Sequence, residues 1–367
     1  MTHPAWPWIS TPVTDDRFEL LSRWVVQDLG HDVIDIGVAS ADASFRRYFR
    51  ARLRDGGSFV VMDAPPAHED LGPYLKVAAL LQGAGVHVPA VHAVDRQRGF
   101  VLLEDLGSTP FLAELRRPGR AEALYRAALH ALERIQIDGR EAARELPPYD
   151  AAALRRELEL MPDWFCGRHL QLALDDGERQ LLERCFAWLI DEALAQPVVF
   201  VHRDYHSRNL MVLAGDAAGV IDFQDALAGP VGYDPVSLLK DCYIRWPRAE
   251  VERWLRDYRG RLLQRGVHEL CGSSEREFLR WIDLIGVQRH IKVLGIFARL
   301  WWRDGKIGYL DDLPLTLDYV RDASARHLPL REFGLWLERR IVPELAAANA
   351  RARQHAAGAA AAPAARP

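Results

Sequence analysis

The chain has 367 residues, of which 49% are hydrophobic and 27% are charged. Its 47 Lys and Arg residues nearly balance its 51 Asp and Glu residues, and this excludes a basic stripe for nucleic acid or a polybasic segment for a membrane surface. The hydrophobic content and the 11 tryptophans exclude wholesale disorder. At roughly 100–200 residues per domain, the length predicts two domains or one large bilobal unit.

The cysteines and the N-terminal segment indicate the compartment. The four cysteines are scattered without a C-x-x-C pair, which argues against a zinc site and a disulfide framework. The first 14 residues contain three prolines and no apolar segment, so they do not resemble a signal peptide. No window approaches 18 consecutive apolar residues. We therefore expect a cytoplasmic, soluble protein without a membrane partner. These patterns do not predict the number of subunits.

The first hundred residues alternate between predicted strands and turns. The predicted elements are strands at 33–39, 45–53, 58–62 and 100–103 and a helix at 73–82. Asp55, Gly56 and Gly57 form a turn signal between the second and third strands. This region of the chain therefore predicts a small antiparallel sheet with one helix.

Long amphipathic patterns follow Gly107. The predicted elements are helices at 121–137 and 178–194, a buried strand at 198–201, hairpin strands at 210–213 and 220–223, and Trp-rich helices from 236 to about 345. The change of pattern predicts a boundary near Gly107, with units at 1–107 and 108–345. The Ala/Arg-rich segment 346–367 predicts a disordered tail.

One polar loop carries the strongest chemical signal. His202, Asp204 and Asn209 follow the buried strand at 198–201, and Asp222 ends the second strand of the predicted hairpin. In phosphoryl transfer one carboxylate positions the attacking hydroxyl and accepts its proton, while a carboxylate and an amide oxygen hold Mg²⁺. The hairpin is expected to bring Asp204, Asn209 and Asp222 to one edge, so the spacing predicts a phosphoryl-transfer site.

This pattern resembles the catalytic loop and metal-binding segment of the aminoglycoside phosphotransferase-like kinases, which are relatives of the protein kinases. The resemblance extends from about residue 15 to 345, and residues 100–107 are similar to the hinge of that family. The segments 44–50, 202–211 and 219–235 are more closely similar to bacterial anomeric kinases for N-acetylmuramate and N-acetylglucosamine.

The resemblance implies an α/β, bilobal, protein-kinase-like fold with a small N-terminal β-sheet lobe and a larger helical C-terminal lobe. It implies ATP-dependent phosphorylation of the anomeric C1 hydroxyl of these amino sugars in peptidoglycan recycling. Two alternatives stay open at this point. One is a kinase of the same family acting on choline, homoserine or an aminoglycoside, and the other is a non-catalytic nucleotide-binding regulator.

The resemblance also implies a role for individual residues. Asp204 would be the catalytic base, Asn209 and Asp222 would hold Mg²⁺, and Glu104, Asp105 and Leu106 would present backbone groups to the adenine of ATP. His202 would steady the loop, and Asp234 would cap the following helix and support the loop.

The third predicted strand departs from the kinase pattern. It should end in a Lys that meets the phosphates of ATP, but Met62 or Asp63 stands there. Only four of the 47 basic residues are Lys, and an arginine-favouring codon usage accounts for most of that scarcity. We expect Arg46 and Arg47 to take over some of the phosphate-binding role, because a guanidinium suits bidentate contact with phosphate.

The helical half of the chain bears on the substrate. Residues 229–345 contain 20 Lys and Arg against 17 Asp and Glu, which does not favour a polycationic aminoglycoside. A neutral or anionic sugar fits better, and the lactyl carboxylate of N-acetylmuramate favours a cation. The candidate substrate residues are Arg208, Lys240 and Arg245 for the carboxylate, and His206, Asp225 and Tyr243 for hydroxyl groups.

Overall fold

The structure is a computed structural model that describes residues 15–41 and 45–361. The N-terminal segment 1–14, Ser44 of the sugar-kinase motif and the last six residues of the predicted tail lie outside the described residues. The chain forms two units, of which the first comprises Met1–Thr109 with Met211–Asp225 and the second comprises Pro110–Leu210 with Ala226–Pro367. The N-terminal stretch of the first unit thus extends just beyond the predicted boundary at Gly107, and the unit includes the hairpin segment that the sequence pattern had assigned to the second.

A five-stranded antiparallel sheet in the order β1-β2-β3-β5-β4 forms the centre of the first unit. Gly56 turns the chain between β2 and β3 with φ of +91°, and Gly57 N–H donates to Asp55 Oδ1 at 2.8 Å. Four of the strands were predicted, and β4 was not. The strands are β1 (Val33–Ala41), β2 (Arg47–Leu53), β3 (Ser58–Asp63), β4 (Val91–Asp95) and β5 (Phe100–Glu104).

Two helices accompany this sheet, α1 (Asp16–Arg23) and α2 (Leu71–Gly83). Each is capped by an aspartate, because Asp15 accepts from the backbone N–H of Phe18 and Asp70 accepts from that of Gly72. A buried apolar cluster joins α1 to the sheet and the segment after it, and its members are Leu21, Trp24, Val25, Phe49, Ala51, Val61, Phe100 and Leu102.

The segment Met211–Asp225 is attached to the first unit by backbone hydrogen bonds. Strands β7 (Leu210–Val212) and β8 (Ala218–Val220) pair with each other, and Val220 N–H donates to His87 O at 2.8 Å. Gly219 permits close approach, since a Cβ there would lie 2.8 Å from Leu106 Cδ1. The predicted strand at 220–223 was wrong beyond its first residue: β8 covers Ala218–Val220, and Asp222 is no longer extended, with φ of +63°.

The second unit is mainly helical and is arranged around the 30-residue helix α9, which Ser274 caps and which ends at Gly305 in the left-handed conformation. Strand β6 (Val198–Val201) pairs antiparallel with β9 (Leu227–Pro230). The helices are α3 (Phe111–Leu115), α4 (Ala121–Glu133), α5 (Ala151–Leu158), α6 (Asp176–Leu194), α7 (Tyr233–Leu239), α8 (Arg248–Gln264), α9 (Glu275–Asp304), α10 (Leu313–Ser324), α11 (Arg331–Trp336) and α12 (Val342–Ala361). Across 15–41 and 45–361, no helix combines the length and the apolar character needed to cross a bilayer.

The predicted disordered tail was wrong as far as Ala361, because helix α12 continues to that residue. Ala348 and Ala352 are buried on one face of the helix, one turn apart. Between them in sequence lies the buried Asn349, whose Oδ1 is 2.8 Å from His169 Nε2 and whose Nδ2 donates to Leu310 O at 3.2 Å. Small alanines give a narrow packing face that hydrophobic periodicity does not reveal.

We expect the substitution Asn349→Ala to lower the free energy of unfolding by about 1–3 kcal/mol, because His169 and Leu310 would lose a buried hydrogen-bond partner. Urea denaturation measures this change. The matched control is Gln354→Ala on the exposed side of the same helix, which should stay within about 0.5 kcal/mol of wild type. Equal small effects of both substitutions would show that α12 is not docked in solution.

Candidate active site

The loop of residues 202–209 connects β6 to β7, and Asp234 holds its beginning. Asp234 Oδ2 accepts from the backbone N–H of His202 at 2.7 Å, and Oδ1 accepts from that of Arg203 at 3.1 Å. Arg203 has φ of +76°, a left-handed conformation that needs such external support. Asp234 thus binds the backbone at the start of the loop, but the expected helix cap was wrong, since both its oxygens accept from the loop and α7 has no side-chain cap.

A second carboxylate, Asp241, holds the middle of the loop. Its Oδ2 accepts from both the backbone N–H and the hydroxyl of Ser207, and its Oδ1 accepts from the backbone N–H of Tyr243 at 3.1 Å. Asp241 is 1% exposed, so these bonds form away from water and are stronger for it. Sequence analysis missed Asp241, because a pairing over 34 residues has no local pattern.

Hydrogen bonds inside the loop fix Asp204 from both sides. His202 Nδ1 accepts from Asp204 N–H at 3.3 Å, and Asp204 O accepts from His206 N–H at 2.9 Å and from Asn209 Nδ2 at 3.0 Å. The His202 ring thus bonds to the backbone of its own loop, and its steadying role stays a prediction. The bond from Nδ2 also orients the Asn209 amide, and its oxygen is of the kind that Mg²⁺ prefers.

The electrostatic surroundings keep Asp204 ionised. Burial alone raises the pKa of Asp204, but the nearby Lys292, His206 and Arg203 outweigh burial and hold that pKa below its usual range. Glu157 organises two of these cations, since its Oε1 lies 3.0 Å from Lys292 Nζ and 2.7 Å from Arg203 Nη2. Glu157 lies on α5, far away in sequence, and sequence analysis did not identify it.

In the first unit, Asp222 has a cationic neighbour in Arg46. Asp222 Oδ1 accepts from Gln224 Nε2 at 2.9 Å and lies 3.9 Å from Arg46 Nη2. Arg46 is only 9% exposed, so it is not a solvated charge at the edge of the strand. Arg46 is thus a nearly buried cation beside the Asp222 carboxylate.

Arg47 has a different environment from Arg46. Its guanidinium donates to Asp63 Oδ2 at 2.6 and 3.0 Å and also contacts Asp15. Asp63 is fully buried and is bound on its other oxygen by Arg17. The end of β3, where a kinase Lys was expected, therefore holds a buried aspartate between two arginines. Because Arg47 is bound to two carboxylates, its predicted phosphate-binding role is not supported.

The predicted hinge is fixed by Asp105. Its carboxylate accepts from Arg50 at 2.6 and 2.9 Å, from the Ser58 hydroxyl at 2.7 Å and from Gly107 N–H at 3.0 Å. Burial raises the pKa of Asp105, but these donors more than offset it and lower the pKa overall. Glu104 N–H donates to Ala90 O at 2.9 Å, so that N–H is not available to an adenine.

The six predicted substrate residues separate into three places. Asp225 is exposed in the first unit. His206, Arg208 and Tyr243 lie together in the second unit: the guanidinium carbon of Arg208 is 3.5 Å from the centre of the Tyr243 ring, and the His206 ring meets that ring edge-on at 5.4 Å. Asp312, which sequence analysis missed, adds a carboxylate 4.0 Å from Arg208.

Lys240 and Arg245 line a separate cavity of about 150 Å³ with Asp283 and Trp246. Lys240 Nζ lies 2.6 Å from Asp283 Oδ1, and that carboxylate also pairs with Arg248 at 3.1 Å. Arg245 pairs with two aspartates on α10, at 3.2 and 2.8 Å. Both predicted carboxylate-binding cations are therefore already neutralised by carboxylates of the protein.

Comparison with known proteins identifies the family of this chain. The sequence model of the phosphotransferase enzyme family matches residues 35–271, and the chain belongs to that family. A relative from Pseudomonas aeruginosa named N-acetylmuramate/N-acetylglucosamine kinase is 47% identical over 330 residues, covering 87% of this chain and 96% of the relative. A relative of the same name from Pseudomonas putida is 44% identical over 333 residues, covering 88% and 96%.

Solved structures agree on the fold. The ethanolamine kinase of Plasmodium vivax superimposes with a TM-score of 0.60 at 12% identity, covering 85% of this chain and 92% of that one. At this identity the likeness concerns the fold alone. The resemblance stated from the sequence and the predicted kinase-like fold class, with a small N-terminal sheet and a larger helical region, are confirmed.

The support of the loop by Asp234 predicts a pH-dependent stability. Burial raises the pKa of Asp234 to about 7, although the amides of His202 and Arg203 lower it. In the unfolded chain the pKa of an aspartate carboxyl is about 3.9. The native state thus binds this proton more tightly than the unfolded state does. The resulting gain in the free energy of unfolding is full below about pH 4 and disappears as the pH rises to about 7.

Asn does not titrate, so the unfolding free energy of wild type relative to Asp234→Asn should fall between about pH 4 and 7 and be constant above. Urea denaturation at a series of pH values measures the difference. Asp257→Asn, an exposed aspartate on α8, is the control whose difference from wild type should not change over this window. A constant difference for Asp234→Asn would mean that its carboxylate is ionised throughout.

Proposed function

We propose that this chain is an ATP-dependent kinase that phosphorylates the anomeric hydroxyl of N-acetylmuramate and N-acetylglucosamine, in the service of peptidoglycan recycling. The substrate pair is supported by two relatives of that name, at 47% and 44% identity and each covered over 96% of its length. The observation that carries the chemistry is the state of Asp204: it is fixed by loop hydrogen bonds and its pKa is held low by neighbouring charges.

Asp204 has the properties that a base in phosphoryl transfer requires. An ionised carboxylate accepts a hydrogen bond from the C1 hydroxyl and orients its oxygen toward the γ-phosphorus of ATP. As the bond from the sugar oxygen to phosphorus forms, the bond from phosphorus to the leaving oxygen of ADP breaks, and the hydroxyl proton passes to Asp204. The products are the sugar 1-phosphate and ADP. The low pKa keeps the carboxylate ready at neutral pH.

Asn209 and Asp222 are proposed as the magnesium ligands. An amide oxygen and a carboxylate oxygen are donors that Mg²⁺ accepts, and the amide of Asn209 is oriented by its bond to Asp204 O. Bound Mg²⁺ would neutralise charge on the phosphates. Their joint action stays a prediction from the sequence pattern.

Arg46 is proposed as the protein cation for the phosphates, in place of the missing Lys. It is nearly buried and lies beside Asp222, whereas Arg47 is bound to Asp63 and Asp15. A guanidinium can contact two phosphate oxygens at once, which a lysine cannot do with the same geometry. Arg47 would instead stabilise the sheet by compensating the buried charge of Asp63.

The test is a phosphate-transfer screen with MgATP. We expect transfer to N-acetylmuramate and N-acetylglucosamine, the sugars in the names of the two relatives, and none to choline, homoserine or kanamycin. For the polycation kanamycin, the helical half also lacks the acidic excess that would favour binding. Coupled detection of ADP measures turnover, and phosphorus NMR locates the product phosphate on C1. Phosphate on another carbon, or preference for a cationic acceptor, would overturn the proposal.

The Asp204→Asn variant is the negative control in that screen. It should bind MgATP as wild type does in calorimetry while turnover falls about 10²- to 10⁴-fold, the usual contribution of a positioned general base. Asp257→Asn, far from the loop in sequence and exposed, should keep both properties. Undiminished turnover of Asp204→Asn would reject this residue as the base.

The adjacent arginines offer a paired prediction. Arg46→Gln should lower kcat/KM for ATP about 10- to 100-fold, since a charged hydrogen-bond donor is lost from the phosphates. Arg47→Gln should leave the ATP kinetics largely unchanged but lower Tm, because Asp63 keeps only Arg17 as a cationic partner among the described residues. Steady-state kinetics and thermal unfolding of both variants measure this, and the opposite assignment of effects would contradict it.

A further inference from the structure

The three cations that the sequence offers for a substrate carboxylate differ in how far the protein has already neutralised them. Lys240 has a carboxylate oxygen at 2.6 Å, and Arg245 has one at 2.8 Å and another at 3.2 Å. Arg208 has its nearest carboxylate oxygen, on Asp312, at 4.0 Å, the weakest such contact of the three within the described residues. Of the three cations, Arg208 is therefore the one that carboxylates of the protein engage least closely, so it is best placed to bind a ligand carboxylate.

Arg208 is also held in a defined orientation. Its guanidinium lies over the Tyr243 ring, with 3.5 Å from the guanidinium carbon to the ring centre, and the ring of Tyr309 is 5.8 Å away. Stacking on an aromatic face leaves the N–H groups at the edge of the guanidinium, where a carboxylate can accept two of them. The side chain is 39% exposed, so a ligand can reach it from solvent.

The loop that carries Arg208 also carries the proposed base, four residues before it in the chain. Between them lies His206, whose ring packs against Tyr243, the same residue on which Arg208 is stacked. His206 Nδ1 is buried without a hydrogen-bond partner among the described residues, which is costly unless a ligand supplies one. One loop thus presents a reactive carboxylate, an unsatisfied polar atom and a stacked cation.

We infer that Arg208 binds the lactyl carboxylate of N-acetylmuramate and that His206 Nδ1 binds a polar group common to both sugars. The inference rests on the proposed function, and it assigns within it the residue that distinguishes an anionic sugar from a neutral one. N-acetylglucosamine has a hydroxyl in place of the lactyl ether, so it uses His206 but has no charge to offer Arg208.

The test compares the two sugars with the same enzyme. Arg208→Gln should raise KM for N-acetylmuramate about 10- to 100-fold, as expected when the charge of a charged hydrogen-bonded pair is removed. It should change kcat/KM for N-acetylglucosamine by less than about threefold, the range of a surface substitution. Arg208→Lys, which keeps the charge without the planar stack, should recover some of the loss. Higher ionic strength should weaken only N-acetylmuramate binding.

Matched variants keep the inference falsifiable. Arg168→Gln removes another exposed arginine stacked on an aromatic ring, at 5.6 Å from Trp302, and should leave both sugars unaffected. His206→Ala should lower kcat/KM for both sugars alike, and a loss restricted to one sugar would contradict its assignment. Arg245→Gln and Lys240→Met test the rival cations, and a selective loss of N-acetylmuramate in either would overturn Arg208.

Failure of this inference can be told apart from failure of the proposed function. If wild type phosphorylates neither sugar, the proposed function is wrong. If wild type phosphorylates both and Arg208→Gln impairs both equally, or neither, the proposed function stands and Arg208 is not the carboxylate-binding residue. Thermal unfolding of each variant confirms that the compared proteins are folded.

Discussion

The loop that carries the proposed base depends on one constraint: a carboxylate buried in the second unit must find hydrogen-bond donors, and Asp234 finds them in the backbone of residues 202–209. The same two bonds keep Arg203 in a left-handed conformation that costs about 1–3 kcal/mol if unsupported. The direction of the chain after β6 is thereby fixed, and with it the place of Asp204. Asp241 repeats the arrangement at Ser207. The loop that carries the proposed base is thus held in place by two buried acids, Asp234 and Asp241.

Paired charges are the second recurring device, and arginine supplies most of the cations. Asp63 is held by Arg17 and Arg47, and Asp105 by Arg50. Each buried carboxylate would destabilise the fold without a cationic partner. Removal of one partner therefore lowers the stability by more than the intact pair adds to it. The same pattern is seen at the end of β3, where a kinase Lys was expected. A buried aspartate with two arginines fills that place, and Arg46 remains beside Asp222.

Much of the fold, and the segment that holds the candidate site, could be predicted from the sequence, because these depend on local signals. Turn residues such as Gly56 and the spacing of Asp204 and Asn209 are read within a few positions of the chain. Residues such as Asp241 and Glu157 were missed because their roles depend on contacts over 34 and 46 residues. Helix α12 was missed because its buried face is made of alanines. The sequence pattern does not distinguish Arg208 from Lys240 as the cation for a substrate carboxylate. The ion-pair distances in the structure do.

The discontinuous composition of the first unit has a consequence for biosynthesis. Strand β8, whose Val220 bonds to His87, is encoded more than about a hundred residues after β5. A nascent chain that has emerged only as far as Thr109 therefore lacks a piece of that unit, although all five strands of its sheet are present. Domains usually fold in order of synthesis, the N-terminal one first. In this chain the N-terminal unit cannot be completed until Asp225 has left the ribosome, by which time roughly the first hundred residues of the second unit have already been made.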